Sequence, residues 1–304
     1  MTVADTLDEP ALEVSGLSHR FGDLVAVDGL DIAVYGGEIV GLVGRNGAGK
    51  TTTMRAVMGI LQPQEAEITW RGHPVDFADR LRFGYMPEER GLYPQMRVLP
   101  QLVYFARLCG LDHATAERRA SELLGRLDLA ARAQDQTIAL SHGNQQRVQL
   151  AVAMVHDPDL FVLDEPFAGL DPSVVDDLSK TLRTEARRGR AILFSSHQLD
   201  LVERLCDRVV ILEKGRVLAA GTLDELRGRL PRRLRVKVDA PSGWECGLAG
   251  VRTESEDGEG LVLDLGPGAD AQAVLAAAQA VGPVEQFGIQ RAHLVDVYRE
   301  LVRR

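Results

Sequence analysis

At 304 residues, 45% of them hydrophobic and 26% charged, the chain can bury one large core or two ordinary ones, which excludes a disordered or fibrous protein. A net charge of −9 argues against nucleic acid as its main partner. Cys109, Cys206 and Cys246 lie far apart and never in C-x-x-C spacing. That pattern suggests neither a zinc site nor a disulfide framework, but neutral or buried free thiols in a reducing compartment.

No run of about 18 apolar residues occurs, so the chain is not expected to span a membrane by itself. Met1 to Pro10 is acidic and lacks the charged-then-apolar pattern of a secretion signal. A cytoplasmic location is expected, with any membrane contact made through a partner.

In chain order, residues 11–36 carry two alternating segments, around Leu12 to Leu17 and Leu24 to Val34, which predict antiparallel strands with one buried face. Phe21 falls between them, beside the Gly22-Asp23 turn pair. It either stacks on a nucleotide base or packs in the core, since one aromatic carries no spacing information. Glu38 to Val43 predicts a buried strand, and Met54, Val57, Met58 and Leu61 predict a helix face.

Between strand and helix stands Gly44-Arg45-Asn46-Gly47-Ala48-Gly49-Lys50-Thr51-Thr52-Thr53, which fits G-x-x-x-x-G-K-[ST] at every defined position. Glycines let successive backbone N–H groups turn inward as an anion nest, and the helix aims its positive end at the same anion. Lys50 is expected to reach the β- and γ-phosphates, and the Thr51 hydroxyl to ligate Mg²⁺. The loop predicts nucleotide binding but leaves kinase, GTPase, helicase and transporter motor open.

Ala66 to Trp70 and Leu81 to Met86 predict further strands, with a turn at Gly72-His73-Pro74 and a polar hinge at Glu88-Glu89-Arg90-Gly91. From about Leu99 to Leu140 the spacing turns helical, with one element ending at Gly110 and another over Ala114 to Leu127, as in an all-helical insert. Ser141 then reads as the N-cap of a helix whose apolar face is Val148, Leu150, Ala151 and Met154.

Leu160 to Leu163 predicts a buried strand ending directly in Asp164-Glu165-Pro166. In α/β sheets ligands bind outside the carboxyl ends of strands, and an acid there in a phosphate-loop protein is the expected Mg²⁺ partner. Glu165 is then placed to orient or deprotonate a water. Asp171-Pro172 opens a helix to about Arg187, and Ala191 to Phe194 predicts a strand running into Ser195-Ser196-His197. By position alone His197 is as readily structural as catalytic.

Cys206 to Leu212 and Arg216 to Ala220 predict a hairpin around Lys214-Gly215, and Thr222 caps a helix from Leu223 to Leu230. After Pro231, strands at Leu234 to Val238, Leu261 to Leu265 and Val284 to Ile289, with helices at Asp270 to Val281 and Ala292 to Val302, predict a separate module without a chemical motif.

Taken together, Leu140 to Arg147, Asp164-Glu165-Pro166, Gly169-Leu170-Asp171 and Ser196-His197 follow the phosphate loop in a fixed order. That order resembles the ATP-binding subunit of ABC transporters over about residues 11–230. The Pro87-Glu88-Glu89-Arg90-Gly91-Leu92 stretch and the Leu140-Ser141-His142-Gly143-Asn144-Gln145-Gln146 signature are similar to the subunits paired with sodium-efflux or drug-efflux permeases. The implied fold is an α/β P-loop ATPase cassette over 11–230, with an antiparallel β subdomain and an α-helical insert at about 88–145. A small C-terminal α+β module at 232–304 resembles a domain that follows some such subunits.

The resemblance also implies roles. Phe21 matches the aromatic that stacks on adenine, Asp164 the Mg²⁺-coordinating carboxylate, Glu165 the general base and His197 the histidine that contacts the γ-phosphate. Ser141 and Gly143 match residues that hold the γ-phosphate of ATP on the opposite subunit, and Asp171 the loop that communicates across that dimer. Glu88 stands where most of the family has a glutamine that senses Mg²⁺ and the membrane partner, and His142 and Asn144 stand where glycine and glutamine are commoner.

Implied with these are ATP and Mg²⁺, a second ATP-binding subunit, a separate permease, and export of a drug, ion or lipid from the cytoplasmic face of the membrane. The rival reading is a soluble ABC-type ATPase acting on nucleic acid or ribosomes. Acidic charge, a single cassette and the lack of a coiled-coil insert or zinc cysteines oppose it.

Overall fold

The structure is a computed structural model that describes residues 9–89, 91–239, 243–266, 268–290 and 292–303. Arg90 of the hinge motif and most of the acidic start lie outside the described residues. The chain divides into two compact units, Met1–Gly221 and Thr222–Arg304.

In the first unit β1 (Leu12–Phe21) and β2 (Leu24–Val34) pair antiparallel, with Phe21 opposite Leu24 at the hairpin end. Phe21 is thus the last residue of β1 rather than a residue between strands. The phosphate loop lies between β3 (Ile39–Val43) and α1 (Lys50–Val57). β4 (Glu65–Trp70) pairs with β1, and the expected turn at His73-Pro74 carries a two-residue strand, β5 (His73–Pro74). A short α2 (Phe77–Arg80), closed by a capping box between Asp76 and Asp79, was not expected. It leads into β6 (Phe83–Met86).

The helical stretch holds α3 (Val98–Leu108), α4 (His113–Arg126), whose N-cap Asp112 accepts from Thr115 N, and α5 (His142–Met154), whose N-cap Ser141 accepts from Asn144 N. After it come β7 (Leu160–Leu163), α6 (Pro172–Arg187), β8 (Ala191–Ser196), α7 (Leu199–Leu205), β9 (Arg208–Glu213) and β10 (Arg216–Thr222).

One sheet has the order β2-β1-β4-β5 and the other β10-β9-β3-β8-β7-β6. In the second, β9, β3, β8, β7 and β6 run parallel to one another. Every residue of β3, β7 and β8 is buried, which is why these strands read as unbroken apolar runs. Parallel strands share one carboxyl edge. The loops after β3, β6, β7 and β8 therefore emerge side by side, and these loops carry residues 44–50, Glu88, Asp164-Glu165 and His197.

Trp70 ties the two sheets together. It ends β4, is almost wholly buried, and meets Phe83 of β6 edge-on at a 5.0 Å ring separation within the common core.

The second unit opens with α8 (Leu223–Arg227), closed by a capping box between Thr222 and Glu225. There follow β11 (Arg232–Val238), β12 (Val251–Asp257), β13 (Gly260–Leu265), α9 (Ala271–Val281), β14 (Val284–Gln290) and α10 (Leu294–Arg303). Its antiparallel sheet has the order β12-β13-β11-β14. Leu234 and Val236 of β11 enter a core with Leu263 of β13 and Val274 and Ala278 of α9. The alternate residues Arg235 and Lys237 pair instead with Asp257 and Glu285. The cysteines are free, Cys206 buried, Cys109 partly buried and Cys246 exposed; burial pushes the first two thiols up, well up for Cys206.

Because Trp70 packs against both sheets of the first unit, Trp70→Ala is expected to destabilise that unit by about 3–5 kcal/mol. Denaturant unfolding followed by circular dichroism checks this.

Candidate active site

The loop after β3 turns into α1 through Gly49, the N-cap, at φ 105°. A Cβ there would lie 2.6 Å from the Ala26 carbonyl oxygen, so only glycine lets the loop lie this close to β2. Lys50 folds back across the loop: its Nζ donates to Gly44 O at 2.7 Å and Arg45 O at 3.4 Å and lies 3.3 Å from Glu165 Oε1. Both side chains of that ion pair are 6% exposed.

Glu165 is reached from three sides. Its second oxygen, Oε2, is 3.0 Å from His197 Nδ1. Its backbone N–H donates to Ser195 Oγ at 2.8 Å, and Ser195 Oγ in turn donates to Asp164 Oδ1 at 2.6 Å. Asp164 and Ser195 have no exposure, and Asp164 Oδ2 is buried without a hydrogen-bond partner. Glu165 also sits at φ +49°, a left-handed backbone costing about 1–3 kcal/mol outside glycine, and the bond to Ser195 helps hold it there.

A cavity of about 330 Å³ opens over these groups. Loop residues 45–52 form its floor, Phe21, Leu24, Val25 and Ala26 one wall, and Glu88 and Glu165 another. Phe21 is 52% exposed and its ring is braced edge-on by His19 at 4.5 Å, so it is a wall facing solvent and not core. Gly44, Asp164 and His197 belong to the same constellation through their bonds to Lys50, Ser195 and Glu165.

Ser141, Gly143 and Asp171 are not among the residues lining the cavity. They stand together elsewhere: Ser141 caps α5, Gly143 packs near Val174 of α6, and Asp171 is the N-cap residue of α6. One helix links the two places. Along α5, His142 Nε2 meets Ala168 O at 3.1 Å, Gln146 Nε2 donates to Pro166 O at 3.1 Å, and Gln149 Nε2 donates to Pro87 O at 2.6 Å. Ser195, Gln146 and Gln149 had no role assigned from sequence. For Ser195 the signal was present, because a polar residue at the end of a fully buried strand must find a partner.

With an anion nest, a lysine above it and a braced carboxylate beside it, the cleft suits a nucleoside triphosphate and a water attacking its terminal phosphate. The ABC transporter family model matches residues 27–168, and a model described as the C-terminal domain of DrrA1-3-like ATP-binding proteins matches residues 221–302. An uncharacterized ABC transporter ATP-binding protein of Bacillus subtilis, YhaQ, is 37% identical over 292 residues, covering 96% of this chain and 98% of its own.

The chain belongs to the ABC transporter ATP-binding proteins.

Another relative, the Nod factor export ATP-binding protein I of Burkholderia lata, is 38% identical over 213 residues, 69% of this chain and 70% of its own. A solved structure of the ATP-binding subunit of an ABC transporter superposes with a TM-score of 0.66 at 36% identity, covering 72% of this chain and 92% of that one. Both are similar to this chain as transporter subunits, so the rival reading of a soluble ATPase gains no support. As an ABC ATPase the protein binds and hydrolyses ATP to power transport. No helix among the described residues is long and apolar enough to cross a membrane.

Ser195→Ala removes one hydroxyl that serves both acidic neighbours. It is expected to lower ATP turnover by about tenfold, the worth of roughly 1–1.5 kcal/mol of hydrogen bonding, without preventing ATP binding. Phosphate release at saturating ATP, beside nucleotide titration, measures both.

Proposed function

We propose that this ABC ATPase is the motor of an exporter. Two copies close face to face on two ATP molecules, and their opening and closing drive a separate permease in the membrane, which they reach from the cytoplasmic face. The observation that carries the reading is the split constellation. The cleft holds a phosphate cradle and a water-activating carboxylate, while Ser141, Gly143 and Asp171 lie outside that cleft, available to a neighbour's nucleotide. Export follows from the likeness to a Nod factor export subunit and from the sequence resemblance to efflux systems.

Within one site, residues 44–49 receive the phosphates and Phe21 the adenine face. Incoming phosphate oxygens draw Lys50 from Glu165, which leaves Glu165 Oε1 open to a water. Glu165 takes a proton from that water as its oxygen attacks the γ-phosphorus and the bond to the β-phosphate oxygen breaks, leaving ADP and phosphate. His197 holds the far oxygen of Glu165 and reaches the γ-phosphate. Ser141 and Gly143 of the other copy complete the γ-phosphate pocket, with Asp171 at the junction.

The bare buried oxygen of Asp164 and the Thr51 hydroxyl suit a small hard cation, with Glu88 at the cavity wall as a further carboxylate. A Mg²⁺ held by these residues would supply positive charge to neutralise the phosphates during transfer.

Glu165→Gln is expected to keep ATP affinity, abolish turnover and accumulate an ATP-dependent dimer visible by size-exclusion chromatography. Wild-type turnover in that variant sinks the assignment. Purification from detergent-solubilised membranes tests the permease, which is expected to elute with the chain.

A further inference from the structure

The signature helix carries a residue whose role is not explained by phosphate contact. His142 lies between Ser141 and Gly143, and its side chain meets the chain's own loop after β7. The Nε2 atom meets Ala168 O at 3.1 Å. A carbonyl can only accept, so this contact places the proton on Nε2. One turn along the same face, Gln146 Nε2 donates to Pro166 O at 3.1 Å. Two side chains at i and i+4 therefore grip two carbonyls of the short segment that joins Glu165 to Asp171.

The segment is shaped to receive the imidazole. Gly169 sits at φ +68°, and a Cβ added to it would fall 3.1 Å from His142 Nε2, tighter than ordinary side-chain contact. On the neighbouring side Gly143 packs near Val174, at the start of α6. The N-terminal turn of α5 is thus seated on the 166–174 stretch at three points, two of them hydrogen bonds.

We infer that His142 is a positioning residue that locks the signature helix to the loop bearing Glu165, so that seating Ser141 on a neighbour's ATP sets the carboxylate of the chain's own site. The inference rests on the two-copy reading above and deepens it. The path is short: Ser141 is adjacent to His142, His142 holds Ala168, and Ala168 is three residues from Glu165, whose side chain is already fixed by Lys50 and His197. Gln146 holds the residue directly after Glu165. Filling one composite site therefore tightens the loop that serves the other, and turnover becomes cooperative in ATP.

The experiment uses the full-length chain. ATP hydrolysis is followed against ATP concentration for wild type, His142→Ala and His142→Gln, with a nucleotide titration and a melting curve for each. The glutamine keeps an N–H donor near the Ala168 carbonyl; the alanine does not. Alanine is expected to leave ATP affinity within about twofold, to cut kcat about three- to tenfold, as loss of one hydrogen bond does, and to bring the Hill coefficient toward one. Glutamine is expected to restore at least half of the rate and the cooperativity. A purely structural role would lower the melting temperature without the pattern of rescue.

Wild-type kcat and Hill coefficient in His142→Ala, or loss without rescue by glutamine, overturn the inference. ATP-driven dimerisation of Glu165→Gln is run beside it. If that dimer forms, the two-copy reading stands whatever His142 does; if it does not, the two-copy reading and this coupling fall together.

Discussion

The Lys50–Glu165 ion pair is the constraint on which the site depends. A lysine and a glutamate, each almost wholly buried, face one another at 3.3 Å, and neither charge has enough water to stand alone. Lys50 spends its other protons on Gly44 and Arg45, and Glu165 takes His197 on its second oxygen. The charged groups of the cleft therefore neutralise one another. In the proposed mechanism ATP would compete for the lysine, and phosphate oxygens taking over the cation would release the carboxylate for chemistry.

The sheet exists, from this point of view, to hold that pair. β3 delivers the lysine and β7 the glutamate, with β8 lying between them and pairing parallel to both. Ser195, next to last in that intermediate strand, bridges Asp164 to the Glu165 backbone, which stabilises a left-handed conformation that glutamate disfavours. Parallel pairing is what makes three successive carboxyl ends coincide within hydrogen-bonding distance. Trp70 fixes the antiparallel sheet to this framework, and with it Phe21 at the cleft wall.

Much of this was legible in the amino-acid order. The phosphate loop, the acids at the end of an apolar strand and the Ser141 cap each have a local cause: glycine where backbone must crowd, an apolar run where both faces are buried, a hydroxyl where helix N–H groups need an acceptor. β12 was not legible. Its residues Val251 to Asp257 are exposed almost throughout, so burial left no alternation to read, and only pairing with β13 makes them a strand. The short α2 and the two-residue β5 were missed because both are too brief to show a period. Phe21 could not be sorted between core and cleft, because a hydrophobic ring signals burial equally in either place; the hairpin end decides it. The bonds that Gln146 and Gln149 make carried no signal, since their partners are backbone carbonyls that every sequence possesses.

Those carbonyls belong to Pro87, Pro166 and Ala168, and their donors occur at 149, 146 and 142 of a single helix. Spacings of four and three place them on one stripe, over about 10 Å of axis. Two loops from two different strand ends are thus geared to one shaft at three points. A tilt or slide of α5 would reach both loops at once. A push on this helix would therefore arrive at both loops through one mechanical coordinate, and a push from either loop would return along it.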